Sequence, residues 1–465
     1  MTRRFIQWAQ NVPFSAIAVL TTVLYAAVCV FYNVHALHAP RVNREIFVWP
    51  VALGLMLSYG VGAVQITRQK ISTKPIVWFA MAMALLALLT PPFHSTDLYG
   101  YINRGWEQAH YGMNPYVYPV DSIPNWHSDP MLTSHWSTNP SPYAFLFVQL
   151  AKWLCIFGGG NFVRTVFLFK LINFFAYAAT GVLLYCGAKK LEGINPATVL
   201  YLFLWNPLIL IHHIYNGHND LLMGFLITLA LYCAIAGKSL WLLPAAMAAT
   251  LIKYAPVVIF PIAVFYLARQ RRWADLCVGL ALSVLLLVLC AWPYMADWHQ
   301  FQISTIEHNA FVSANSLPAL IFDSYKQLEH LMPILHEKRL LFWSALRDLL
   351  LAGYVAFYVV SGLRCLKREF DLRAFLEFSV LMLMLLIGVV SFKFYPWYIG
   401  IFLPVALLLP PASRLRRVSL WVSVFQVLSI TFIGQAQFLN VILMTLLPLA
   451  LAWRQPAAIE TAPRV

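Results

Sequence analysis

A chain of 465 residues that is 61% hydrophobic and 11% charged, with mean hydropathy +0.71, lies outside the range of soluble domains, about a quarter of whose residues are charged. The formal net charge of +14 does not point to nucleic acid, because the basic residues fall in short clusters between apolar runs, at 3–4, 68–74, 189–190, 269–272, 364–373 and 414–417. That is the positive-inside pattern of a polytopic membrane protein. Seven cysteines, none with CxxC spacing, read as free thiols in helix packing and give no metal motif.

In chain order, the hydropathy predicts one all-α membrane domain over 1–465 with roughly 12–14 membrane helices. Spans near 13–36, 46–66 and 75–92, with a cytoplasmic N-terminus, deliver residues 93–162 to the outer face as a long extracytoplasmic loop. Within it, 98–112 and 141–157 carry apolar residues at helical spacing beside polar ones, as interfacial helices do, and 124–142 between them is turn-rich. Spans near 163–187 and 196–214 go in and out again, the second ending at His218, Asn219 and Asp220. A span over 220–236 follows. The apolar stretch 240–268 contains Lys253, Pro256 and Pro261, and is read as two half-length helices turning near Lys253, which keeps every later basic loop inside. Spans near 274–294 and 341–363 bracket a second outer loop, 295–340, that holds His308 beside Glu307. Further spans lie near 374–391, 396–411, 417–434 and 437–453.

Four separated segments thus bring ionisable groups to one membrane face: Asp97; His218 with Asp220; Lys253; and Lys393 beside Tyr395 and Trp397. Such groups are costly near lipid unless paired or solvated, so they are functional candidates. A carboxylate accepts a hydroxyl proton as general base, and Lys or His offsets charge on a departing phosphate. Asp97 also reads as a helix cap, since S-T-D precedes an apolar-aromatic run, and Asp220 is its rival as base. Arg104 either binds a phosphate or pairs with Glu107 at i+3.

The stretch "STDLYGYINRGWEQAHYGMNPYVYP" resembles the outer-loop signature of the GT-C membrane glycosyltransferases, in particular the polyprenyl-phosphate-mannose-dependent mannosyltransferases. "NPLILIHHIYNGHNDLLMGFL", "LIKYAPVVIFP" and "FYPWYIGIFLP" are similar to later motifs of the same group, in the same order. The resemblance implies an inverting transferase that moves a hexose, mannose by resemblance, from a polyprenyl-phosphate sugar to a glycan or glycolipid acceptor. Asp97 takes the position of the catalytic base. Lys253, His218, Lys393 and Arg104 are assigned to the donor phosphate. Tyr99, Asn219, Asp220, Tyr395, Trp397 and His308 are assigned to substrate contacts. Thr96 and Leu98 flank Asp97 where metal-dependent members of the superfamily carry acidic pairs, so a metal-independent reaction without cofactor is expected. The expected setting is a bacterial plasma membrane, with the lipid bilayer as partner and the site on its extracytoplasmic face. Two other readings stay open: a lipid-linked glycan flippase or transporter, and a polysaccharide polymerase or ligase using a diphosphate-linked donor.

Overall fold

The computed structural model describes residues 2–34, 41–69, 71–301, 314–366, 369–430 and 437–454. The described residues are mostly helical, with one isolated β-bridge, Ala314 to Lys393, and no strand among them. Helix α1 (Thr2–Asn11) precedes α2 (Phe14–Val34), α3 (Arg41–Arg68) and α4 (Thr73–Leu89). Helices α5 (Asp97–Ala109) and α6 (Phe145–Gly158) pack on each other and lead into α7 (Phe162–Ala188). Then come α8 (Pro196–Leu204), α9 (Pro207–Tyr215), α10 (Asp220–Ile235), α11 (Leu242–Thr250), α12 (Ile259–Arg269) and α13 (Trp273–Ala291). The chain continues through α14 (Leu317–Leu331), α15 (Arg339–Leu366), α16 (Leu372–Leu385), α17 (Ile399–Ala406) and α18 (Arg414–Phe425), ending in an apolar helix over Phe438–Arg454.

Local chemistry sets several boundaries. Asn161, Asn195 and Asp371 cap α7, α8 and α16 by accepting from backbone N–H groups of the first turn. Asn206 does the same for α9, and Pro207 after it removes a backbone donor, so α8 and α9 meet at a bend of 42°.

The all-α polytopic reading holds, but the helices are less uniform than hydropathy predicted. Six described helices are long and apolar enough to cross a membrane, seven if the bent pair is one span; seven further apolar helices have only 10–17 residues. The shortening occurs where the chain breaks to place polar groups. Between α11 and α12 the backbone leaves the helix at Leu251–Lys253, with the Leu251 and Ile252 carbonyls accepting from Phe147 and Ala144 N–H. The start of this hairpin, Leu240, lies against Gly279 of α13, and its end runs into the N-terminus of α13 at Trp273. The hairpin therefore starts and finishes toward the same end of α13, about 9 Å apart along its axis, in keeping with the reading of 240–268 as two half-helices.

The polarity gradient is that of a membrane protein. Apolar side chains such as Val19, Val23, Val284, Leu289 and Leu349 face outward. The interior holds buried Lys170, Asn173 and Asn206, all hydrogen-bonded. Lys170 Nζ donates to the carbonyls of Ala87, Leu88 and Thr90, closing the end of α4 just before the polar loop. Helix α7 carries Lys170 in its first half and Lys189–Lys190 about 28 Å further along, beyond its C-terminal end.

Candidate active site

The loop from α4 to α5 is pinned before it reaches Asp97. Asn216 Oδ1, at the end of α9, accepts from both Phe93 N (3.0 Å) and His94 N (2.9 Å). Ser95 Oγ accepts from Asp97 N at 3.2 Å. Asp97 is the first residue of α5, where a negative charge is favoured. Its carboxylate makes no cap bond; Oδ2 instead lies 3.4 Å from His218 Nδ1. Burial alone would raise the Asp97 carboxyl, but hydrogen bonding and charge from His218, with the Lys253 charge, outweigh it and hold the group below its ordinary value. The group is ionised at neutral pH.

His218 is fully buried and stacks on the Trp397 indole at 3.9 Å and 13°. Trp397 in turn stacks on Tyr395 at 4.6 Å and 10°. Lys253, released by the break after α11, donates to Asp220 Oδ1 at 2.8 Å. Its ammonium also lies 5.9 Å from the Tyr143 ring and 5.3 Å from the Tyr398 ring, at cation–π range. Lys393 is half-buried on the turn after α16; burial lowers its ammonium, and Asp97 opposes that.

Asp97, Lys253, Lys393, Tyr395 and Trp397 line one cavity of about 850 Å³ with His94, Trp136, Tyr143, Trp343, Arg347 and Tyr398. That volume lies in the upper range of small-ligand sites. Five segments distant in sequence therefore supply one acid, two amines and an aromatic wall to a single pocket.

Several assigned roles need correction. His218, Asn219 and Asp220 are buried behind the cavity wall and do not line it. His218 bears on Asp97, Asp220 on Lys253, and Asn219 accepts from Tyr101 Oη at 3.3 Å. Asp220 is thereby paired with Lys253 and set back from the cavity, whereas Asp97 lines it. Arg104 lines the cavity, but its guanidinium is committed: Nη1 to Glu107 at 3.1 Å, and Nη2 to the carbonyls of Trp136 and Asn139. In this arrangement it fixes the loop that carries Trp136 and Asn139. Tyr99 points away from the cavity and stacks with His135 and Phe162. His308 lies outside the described residues. Among the described residues, no three His, Cys, Asp or Glu side chains are grouped so as to hold a metal ion.

Sequence reasoning missed Trp136, Tyr143, Trp343 and Arg347. Arg347 was detectable, since Arg347-Asp348 interrupts an otherwise apolar helix. Trp136 sits in a turn-rich loop with no periodicity to mark it.

The fold and the pocket together define an all-α polytopic membrane protein that gathers one ionised carboxylate, flanking amines and stacked aromatics in a single cavity. The chain belongs to the family described as alpha-(1->6)-mannopyranosyltransferase, N-terminal domain, whose model matches residues 15–269. The matched region contains Asp97, His218, Asp220 and Lys253. The chain is 27% identical over 207 residues to alpha-(1->6)-mannopyranosyltransferase A of Mycobacterium tuberculosis, covering 43% of this chain and 38% of that protein. It is 28% identical over 187 residues to the protein of the same name from Corynebacterium glutamicum, covering 38% and 37%. A probable alpha-(1->6)-mannopyranosyltransferase of Mycolicibacterium smegmatis is 26% identical over 174 residues, covering 36% and 30%. The matched stretch thus spans less than two fifths of each of these relatives. No solved structure matches the chain.

Proposed function

We propose that the protein is an inverting mannosyltransferase that takes its sugar from a polyprenyl-phosphate donor and forms an α-(1→6) linkage to a glycan or glycolipid at the extracytoplasmic membrane face. The observation that carries this reading is the ionised Asp97 in the same pocket as Lys253 and Lys393. The names of the relatives support the sugar and the linkage. Basic loops at the ends of helices remote from the pocket, such as Lys189–Lys190 on α7, support an extracytoplasmic site by the positive-inside rule.

In one displacement, the acceptor 6-hydroxyl oxygen forms a bond to the anomeric carbon as the bond from that carbon to the phosphate oxygen breaks. The hydroxyl proton passes to Asp97, and the bonding electron pair leaves with the polyprenyl phosphate. Lys253 and Lys393, with Arg347 on α15, offset the charge growing on that phosphate. A β-linked donor then yields an α-mannoside. His218, backed by Trp397, keeps the Asp97 carboxylate oriented and ionised. The acidic group is single and no metal is assigned to the reaction.

Transfer of radiolabelled mannose from polyprenyl phosphate in proteoliposomes tests this. Asp97→Asn is expected to lose 10²–10⁴-fold in turnover with the fold intact. Near-normal turnover of the variant removes Asp97 as base. Full activity in EDTA is expected, and restoration only by added divalent ion would contradict the metal-free step. Preference for a diphosphate-linked donor would move the protein to the polymerase or ligase class.

A further inference from the structure

Trp136 stands on the cavity wall in a backbone conformation that a bulky residue rarely adopts. Its φ is 59°, in the left-handed region that disfavours a residue with a bulky side chain. The side chain gains little from burial in return, being 46% exposed while lining the pocket beside Asp97. Strain held without burial in return is characteristic of sites where geometry serves a ligand.

Its placement is built from below. The Trp136 carbonyl accepts from Arg104 Nη2 at 2.6 Å, and Arg104 is held in turn by buried Glu107. The indole rests on Gly100, where a Cβ would stand 3.0 Å from Trp136 Cδ1. Gly100 follows Asp97 by three residues and so shares its helical face. A hydrogen bond from the indole is among the influences that lower the Asp97 carboxyl.

Two of the aromatic surfaces in the pocket differ in the charge beside them. Tyr395 and Trp397 adjoin Lys393, where an anionic leaving group is neutralised. Trp136 has Arg104 nearby, but that guanidinium is already committed. An uncharged ligand fits the second surface. The negative face of an indole attracts the polarised C–H bonds on the apolar side of a pyranose.

We propose that Trp136 is the platform for the acceptor sugar: a hexopyranoside stacks on the indole with its exocyclic hydroxymethyl oxygen directed at Asp97. This rests on the transfer reading above, and two measurements separate their failures. In the transfer assay at pH 8, well above the ordinary carboxylate range so that loss of the indole leaves Asp97 ionised, Trp136→Ala is expected to raise the acceptor KM about tenfold with the donor KM within about twofold, while Trp136→Phe keeps most of the affinity. Gly100→Ala, which crowds the indole, is expected to raise the acceptor KM in the same direction. An unchanged acceptor KM in Trp136→Ala, or a fall in kcat alone, overturns the proposal. Saturation-transfer NMR with methyl α-mannoside on detergent-solubilised protein needs no turnover. Signal in the wild type that is lost in Trp136→Ala supports the platform even if the polyprenyl-phosphate donor proves wrong. Equal signal in both, or none in the wild type, refutes it.

Discussion

Lys253 Nζ donates to Asp220 Oδ1 at 2.8 Å across 33 residues of sequence, joining a break in a membrane hairpin to the first residue of another helix. Asp220 is fully buried, whereas Lys253 keeps a fifth of its side-chain surface open to the cavity. The carboxylate thus fixes an ammonium whose free side faces the pocket.

The pair should be strongly asymmetric to mutation. Lys253→Met leaves a buried carboxylate without its cation, at a cost of about 3–5 kcal/mol. Asp220→Asn leaves the cation partly solvated and costs less. The double variant is expected to regain most of the thermal stability in detergent but no transfer activity, because the cation is gone. A Lys253→Met protein as stable as the wild type would show that the pair carries no structural weight.

Glu107 gives stability a pH dependence of definite sign. Burial raises its carboxyl, the Arg104 guanidinium opposes this, and the balance stands at about 7 against an ordinary value of 4.5. The folded state therefore binds the proton more tightly than the unfolded chain. Its contribution to stability is fully present below about pH 4.5, declines as pH rises to about 7, and is lost above. Melting temperature followed across this window should fall with pH, and Glu107→Gln should flatten the slope.

How far the sequence revealed this arrangement depends on which physical signal each residue carries. Asp97, Lys253 and Lys393 were legible because a charge in an apolar chain is rare and its sidedness follows from counting spans. The hairpin over 240–268 was legible from proline beside lysine and from the charge of the following loop. The inward turn of His218 and Asp220 was not, because a polar segment ending a span looks the same whether it faces the cavity or lies behind it. Arg104 offered two roles on spacing alone, and only the carbonyls of Trp136 and Asn139 decide between them. The short helices escaped hydropathy because an apolar window does not register where the backbone breaks.

Close helix approach sets another test. A Cβ at Gly224 on α10 would lie 2.0 Å from the Gly400 carbonyl oxygen on α17, and one at Gly400 would lie 2.4 Å from His213 Nε2. Backbone cannot yield as a flexible side chain does, so Gly224→Ala must push the two helices apart. α10 begins at Asp220 and α17 follows Trp397 and Tyr398, so the displacement reaches the site. A drop of several degrees in melting temperature together with loss of transfer is expected. Gly353→Ala, with open space around the position, serves as the neutral control.

The contact between His218 and Asp97 predicts the acid limb of the reaction. Burial pushes the Asp97 carboxyl up; His218, the Lys253 charge and the Trp136 indole bring it below the ordinary value of 3.8. A general base works only when deprotonated, so kcat/KM should not fall through this group until pH drops below that value. His218→Gln removes the imidazole that faces the carboxylate and leaves burial in place, so the acid limb should move to higher pH. At pH 5 the variant would then lose proportionally more activity than at pH 8. A Trp397→Leu variant removes the ring stacked on His218 without touching the carboxylate, and should move the limb in the same direction by less. Superimposable pH profiles for the wild type and His218→Gln would show that the imidazole does not tune the base, and His218 would then serve packing alone.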